Sequence, residues 1–150
     1  MPVRDLYGAK LILAAVVSLL SQVCIGLLFL LSGKLAGISG PVPPELPGWL
    51  LCGALGGVSV CAVQLFFSLV SRAFAPPVAF GLAGGILGLM FTAQGWGYMF
   101  PYSLLCLGMR ANNPQMELEL PVFVLPALAY IVVFAFLSLR YLKGRDIAAE

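Results

Sequence analysis

The sequence predicts an all-α integral membrane protein, a single transmembrane domain over residues 1–150 with four membrane-spanning helices and a broken segment before the last. Three observations lead there. Hydrophobic residues make up 61% of the chain and charged residues only 9%, where a soluble domain carries roughly 25% charged residues. A soluble core of this length cannot hide that much apolar surface, so part of the solvent must be lipid. The apolar residues fall into long charge-free runs, each sufficient for the ~20 residues a span requires. One run, residues 73–109, is too long for a single span: a straight helix would extend about 55 Å, against a hydrocarbon core of ~30 Å.

The first span is residues 11–33, charge-free throughout and too long for the apolar core of a cleaved signal peptide, so it is read as retained. The linker "SGKLAGISGPVPPELPG", rich in Gly and Pro, reads as an irregular surface loop. The second span, 48–71, has Trp49 near its start as an interfacial anchor and is interrupted by Arg72. Pro76-Pro77 suits a helix start, where a missing N–H costs little, so the third span is 77–94, ended by Gly95, Gly97 and Pro101. The fourth, 120–139, is closed by Arg140, Lys143 and Arg145.

Basic residues orient this arrangement. Arg4, Lys10, Arg72, Arg140, Lys143 and Arg145 fall on one side of a four-span chain, and only Lys34 and Arg110 on the other. Since cytoplasmic loops carry the excess of Lys and Arg, both termini are expected in the cytoplasm. The Gly/Pro linker and residues 95–119 are then expected outside.

The outer segment opens with "GWGYMFPYSLLCLGM" (95–109), uncharged yet broken by Gly95, Gly97 and Pro101. Backbone that is not regular helix cannot face hydrocarbon, because each unpaired group costs several kcal/mol. The segment therefore lies in the interface or dips inward as a re-entrant hairpin sheltered by protein. Trp96, Tyr98 and Tyr102 suit the interface, and an aromatic belt alone is the plainer reading.

Several chemistries are excluded. No ionisable Asp, Glu, His, Lys or Arg lies inside any predicted span, against a proton-driven transporter. The chain has no histidine, which removes Ser/His catalysis and His-based metal sites, and no P-loop, so ATP hydrolysis by that route is absent. Cys24, Cys52, Cys61 and Cys106 form no CxxC pair and read as packing residues. The chain is expected to be no enzyme and to carry no cofactor and no metal. A net charge of +2 without a basic, aromatic-interleaved run argues against nucleic acid. Ser18, Ser21 and Gln22 share a face of the first helix, and Gln64, Ser68 and Ser71 a face of the second. Gln22, Gln64, Ser68 and Gln94 are candidates for a mildly polar substrate path; hydrogen bonding between helices is their commoner role. The spacings Gly53/Gly57, Gly81/Gly85 and Gly84/Gly88 allow close helix approach.

The stretch "VQLFFSLVSRAFAPPVAFGLAGGILGLM" (63–90), followed by "GYMFPYSLLCLGM" and preceded by "PVRDLYGAKLI" (2–12), resembles permease subunits of type-2 ATP-binding-cassette exporters, closest to the lantibiotic-immunity and bacitracin-resistance group. The resemblance implies a bacterial cell-membrane protein that exports an amphipathic peptide or lipid-like substrate. It implies two partners, a separate ATP-binding subunit and a second permease chain, in a homo- or heterodimer. Family permeases have six spans, and this chain resembles the last four, as a fragment, a late start or one part of a split permease. Short re-entrant helices of the family correspond to residues 97–119, with Gly95, Trp96, Gly97, Tyr98, Pro101 and Tyr102 at their start. A permease without a P-loop receives force through cytoplasmic surface, which makes Arg4, Asp5, Tyr7, Lys10 and Arg72 the coupling candidates. The other reading is a non-transporting four-helix accessory or immunity protein that acts by binding a partner.

Overall fold

Proline and glycine divide the chain into its helices. The computed structural model describes residues 3–38, 40–71, 73–110 and 118–146, and among these every regular element is helical: α1 Val3–Leu35, α2 Leu46–Val70, α3 Ala75–Ala93, a 3₁₀ turn Gly97–Met99, α4 Pro101–Gly108 and α5 Leu120–Asp146. Four of them, α1, α2, α3 and α5, are long and apolar enough to cross a membrane. Pro47 sits in the first turn of α2 and Pro76 in that of α3, where a missing N–H is harmless and the fixed φ favours helix.

Two helices run well past the stretches expected to span. The first span is read from the sequence as 11–33, and α1 runs unbroken from Val3 for 33 residues. At ~1.5 Å per residue that is about 50 Å, some 20 Å more than the hydrocarbon requires. No proline follows Pro2 within the run to stop it. Likewise α5 continues past Arg140 to Asp146. Both overruns carry charged side chains, which end a membrane span without ending a helix.

The helices alternate in direction, so α1 and α3 run one way and α2 and α5 the other. Pairings along the chain show it: Ser18 meets Ala54 while Gly26 faces Leu50, and Phe67 stacks on Phe80 at 4.9 Å. Val3 and Asp146 lie at one end of the bundle, and Leu35, Leu46, Ala93 and Leu120 at the other, called here the far end. Outward side chains such as Leu13, Leu20, Leu27 and Leu31 of α1 are more than half exposed, the mark of a surface wetted by lipid.

The break at the end of α3 is a designed stop. Gly95 has φ +81. Its N–H bonds the Thr92 carbonyl, and the Trp96 N–H bonds the Phe91 carbonyl at 3.0 Å. This is the Schellman pattern, with glycine in the left-handed position. Nothing would obstruct a side chain at Gly95, so its requirement is purely conformational. Gly95→Val is expected to lower stability in detergent by ~1–2 kcal/mol through the left-handed backbone alone. An unchanged midpoint of denaturant unfolding would show that the turn relaxes without cost.

After the stop, the chain folds back. α4 packs against α2, α3 and α5 and forms the core with them: Leu104 and Leu107 of α4 cluster with Phe123 and Ala127 of α5. Phe123 and Ala127, one turn apart on the same face, have no exposed surface at all. A short eight-residue helix is thus the most enclosed element of the bundle.

Candidate functional site

The site is the hairpin made by the 3₁₀ turn and α4, and it begins with proline. Pro101 occupies the first turn of α4 and restricts the residue before it to extended backbone. Phe100 adopts φ −123, ψ 131, and this one extended residue turns the 3₁₀ segment into α4. Gly95, Trp96 and Gly97 therefore end a helix, the short 3₁₀ segment descends, and Pro101 starts another helix that runs in the same sense as α3.

Contacts along the neighbouring helices place the hairpin in depth. A Cβ on Gly84 would lie 2.6 Å from the Tyr102 ring, and one on Gly88 would lie 2.9 Å from the Tyr102 backbone carbon. These glycines precede the end of α3 at Ala93 by nine and five residues, about 14 and 8 Å by helical rise. On α2, Gly56 meets the Leu104 carbonyl, while Gly108 meets the backbone of Cys52. Residue 104 therefore lies deeper than residue 108, and α4 climbs back toward the far end beside α2. The hairpin dips alongside the helices by roughly a third to a half of their length; it does not lie across their ends as a belt.

Its backbone is satisfied from within. Ser103, fully buried, holds its hydroxyl within hydrogen-bond reach of the Gly97 carbonyl and, at 2.7 Å, of the Phe100 carbonyl, which share its one proton. Tyr130 of α5 donates its hydroxyl to the Met99 carbonyl at 2.7 Å. These are carbonyls released by the break in helix, and the protein caps them as a non-helical segment at membrane depth requires. Aromatic stacking completes the fit, with Phe91 on Phe100 at 5.1 Å and Phe100 beside Tyr102 at 5.5 Å. Tyr98 packs on the buried core, whereas Trp96 is 62% exposed.

The polar candidates do not converge on one path. Gln64 and Tyr102 share a side-chain hydrogen bond, with the Gln64 amide lodged against Gly81, so α2, α3 and the hairpin meet there. Gln22 is buried between α1 and α2 beside Gly53, with its Oε1 lacking a partner among the described residues. Ser68 is exposed and bonds its own helix at Leu65; Gln94 is exposed at the end of α3. Ser18 crosses between helices to the Ala54 carbonyl at 3.1 Å, the inter-helix role that such side chains commonly take. Ser21 bonds only its own helix at Val17.

Of the coupling candidates, Asp5 and Lys10 are exposed on the overrun of α1, and Arg4 lies in its first turn. Arg72 lies outside the described residues, as do residues 111–117 of the outer segment. Tyr7, also a coupling candidate, is only 4% exposed: the chain itself already fills the space around the ring. Its hydroxyl has no partner among the described residues.

Three residues escaped the sequence reading. Tyr130 is a polar tip in an otherwise apolar span, and that oddity was the available signal. Ser103 was hidden in the aromatic segment. Gly56 belongs to no GxxxG pair, and only its closeness to Leu104 reveals it.

An all-helical, multi-pass bundle with a sheltered half-depth hairpin defines a polytopic membrane protein with an irregular element at one mouth. Residues 1–88 match the family model described as ABC-2 family transporter protein, and the chain belongs to that family. It is accordingly a membrane-spanning permease component of an ABC transporter, which associates with an ATP-binding subunit. The match ends within α3, ahead of the hairpin and α5. No curated protein matches the chain. No solved structure matches it either.

Proposed function

We propose that this permease component exports an amphipathic peptide or lipid-like substrate, in the manner of the lantibiotic-immunity group, and that the hairpin of residues 97–108 closes the translocation path at the far end. Both termini are cytoplasmic and the far end is outside. The chain catalyses no reaction itself; force reaches it from the ATP-binding subunit, through the exposed overrun of α1 around Asp5 and Lys10. A second permease chain, identical or different, completes the path. The carrying observation is the hairpin itself, a non-helical element held at depth by Ser103 and Tyr130. The absence of Asp, Glu, Lys and Arg from residues 11–33, 46–71, 73–109 and 120–139 suits an amphipathic cargo better than an ion.

The test is co-purification in detergent with the ATP-binding subunit, followed by ATPase measurement in liposomes with and without a lantibiotic-type peptide. Stimulation of hydrolysis by the peptide is expected. A chain that purifies without an ATPase and still protects cells from the peptide is instead a binding-type immunity protein. Orientation has its own test. A cysteine substituted at Ala148 is expected to resist an impermeant thiol reagent added to whole cells, and labelling from outside would invert the topology.

A further inference from the structure

At the far end, away from the hairpin tip, an apolar pocket of about 480 Å³ opens between the end of α1, the start of α2 and the end of α4. This is within the range of small-molecule sites, ~300–1,000 Å³. Its walls are hydrocarbon-like: Ile25 and Phe29 of α1, Leu50 of α2, and Met109. Ile25 and Phe29 are also 42% and 51% exposed, so the pocket is continuous with the lipid-facing surface of α1.

The nitrogen-bearing side chains that line it, Trp49 and Arg110, are of one kind. Arg110 sits over the Trp49 ring, with its guanidinium carbon 5.6 Å from the centroid. Both Arg110 Nε and Trp49 Nε1 are buried with no hydrogen-bond partner among the described residues. Each is a donor and neither can accept. Among the described residues no carboxylate pairs with Arg110. The arginine is also fixed by its backbone, at φ +52, a region that non-glycine residues seldom occupy. A buried donor without an acceptor is costly, more so when charged, and two of them facing one apolar pocket call for a ligand that brings an oxyanion and a hydrocarbon body together.

We infer that this pocket binds an anionic membrane lipid, whose headgroup oxyanion accepts from Arg110 and Trp49 and whose acyl chain lies along Ile25, Phe29 and Leu50. The inference does not depend on what the permease transports. Guanidinium matches phosphate geometry and forms charge-assisted bonds about twice as strong as neutral ones, and the apolar walls exclude a free inorganic anion as sole occupant.

The chain has two tryptophans, so a Trp96→Phe background leaves Trp49 as the only indole reporter. The protein is placed in bilayers holding equal fractions of phosphatidylglycerol and phosphatidylcholine, with bromine on the acyl chains of one or the other. Brominated phosphatidylglycerol is expected to quench Trp49 with about a tenfold preference (~1.4 kcal/mol). Arg110→Gln is expected to abolish the preference, and Arg110→Lys, which keeps the charge, to retain a reduced one. Equal quenching by the two lipids would overturn the proposal, as would a preference that survives Arg110→Gln or is lost as fully in Arg110→Lys. Quenching by neither lipid would mean that protein covers the pocket, whether a second copy, a peptide or residues 111–117, and would overturn it too.

Discussion

Replacing Gly56 with valine is expected to reduce export to background while the protein still inserts in the membrane. A Cβ at this position would lie 2.7 Å from the Leu104 carbonyl oxygen and 2.8 Å from the Leu105 Cα. Both are backbone atoms of α4, so no rotamer change can make room. α2 and α4 must separate, or α4 must leave its place. Overpacking of a tight interface costs about 1–3 kcal/mol, and the upper end applies where the obstacle is main chain. At ~1.4 kcal/mol per factor of ten, that shifts the ratio of docked to undocked hairpin by roughly a hundredfold. Gly108→Val, which drives a Cβ within 2.6 Å of the Cys52 backbone from the other side, is expected to behave alike. Gly85→Val is the control, since nothing lies within 4 Å of a Cβ there. Export by Gly56→Val equal to that of Gly85→Val would show that the α2–α4 contact has no part in transport.

The second large effect concerns the caps. Tyr130→Phe removes one hydroxyl and leaves the Met99 carbonyl without its donor. Ser103→Ala removes the one hydroxyl proton that the Gly97 and Phe100 carbonyls share. A buried acceptor left unsatisfied, as at Gly97, costs about 1–3 kcal/mol; the Met99 carbonyl is at the surface of the bundle, where hydrocarbon offers no replacement donor. Each single variant is expected to lower export severalfold, and the pair to abolish it, with normal amounts of protein in the membrane. The two changes act on adjacent carbonyls of one turn, so their effects need not add. Ser68→Ala, whose hydroxyl is exposed and bonds only its own helix, is expected to be silent. Full export by the double variant would mean that the hairpin holds its shape without these donors.

Much of the bundle is legible in the sequence because lipid imposes a simple rule. A span must be apolar for its whole length, so charge-free runs reveal α2, α3 and the membrane portions of α1 and α5. The same rule explains the errors. Hydropathy reports where hydrocarbon ends, not where a helix ends, so it is blind to the polar overruns of α1 and α5. Gly95, Gly97 and Pro101 announce a break through backbone preferences that act locally. Whether the broken segment lies flat or dips inward is decided by distant partners, namely Gly56, Gly84, Gly88 and Tyr130, and no local signal contains them. The burial of Tyr7 is likewise a tertiary fact. Tyr7 stands among charged residues beside a span, and nothing local in the sequence shows that its ring is enclosed. Gly84 and Gly88 show how weak the small-residue signal is alone: they form the socket for Tyr102, while the equally spaced Gly85 faces open space.

The central claim, that residues 97–108 form a re-entrant hairpin rather than an interfacial belt, is tested most directly by depth. Met99 is 71% exposed and Trp96 62%, so a spin label at either position reports its surroundings with little disturbance of packing. Collision with oxygen, which concentrates in hydrocarbon, and with a water-soluble nickel chelate gives the depth of each label in bilayers. The hairpin predicts that the label at 99 lies deeper than the label at 96, within the hydrocarbon and shielded from the chelate. Equal depths for both labels, at the level of the lipid headgroups, would contradict it.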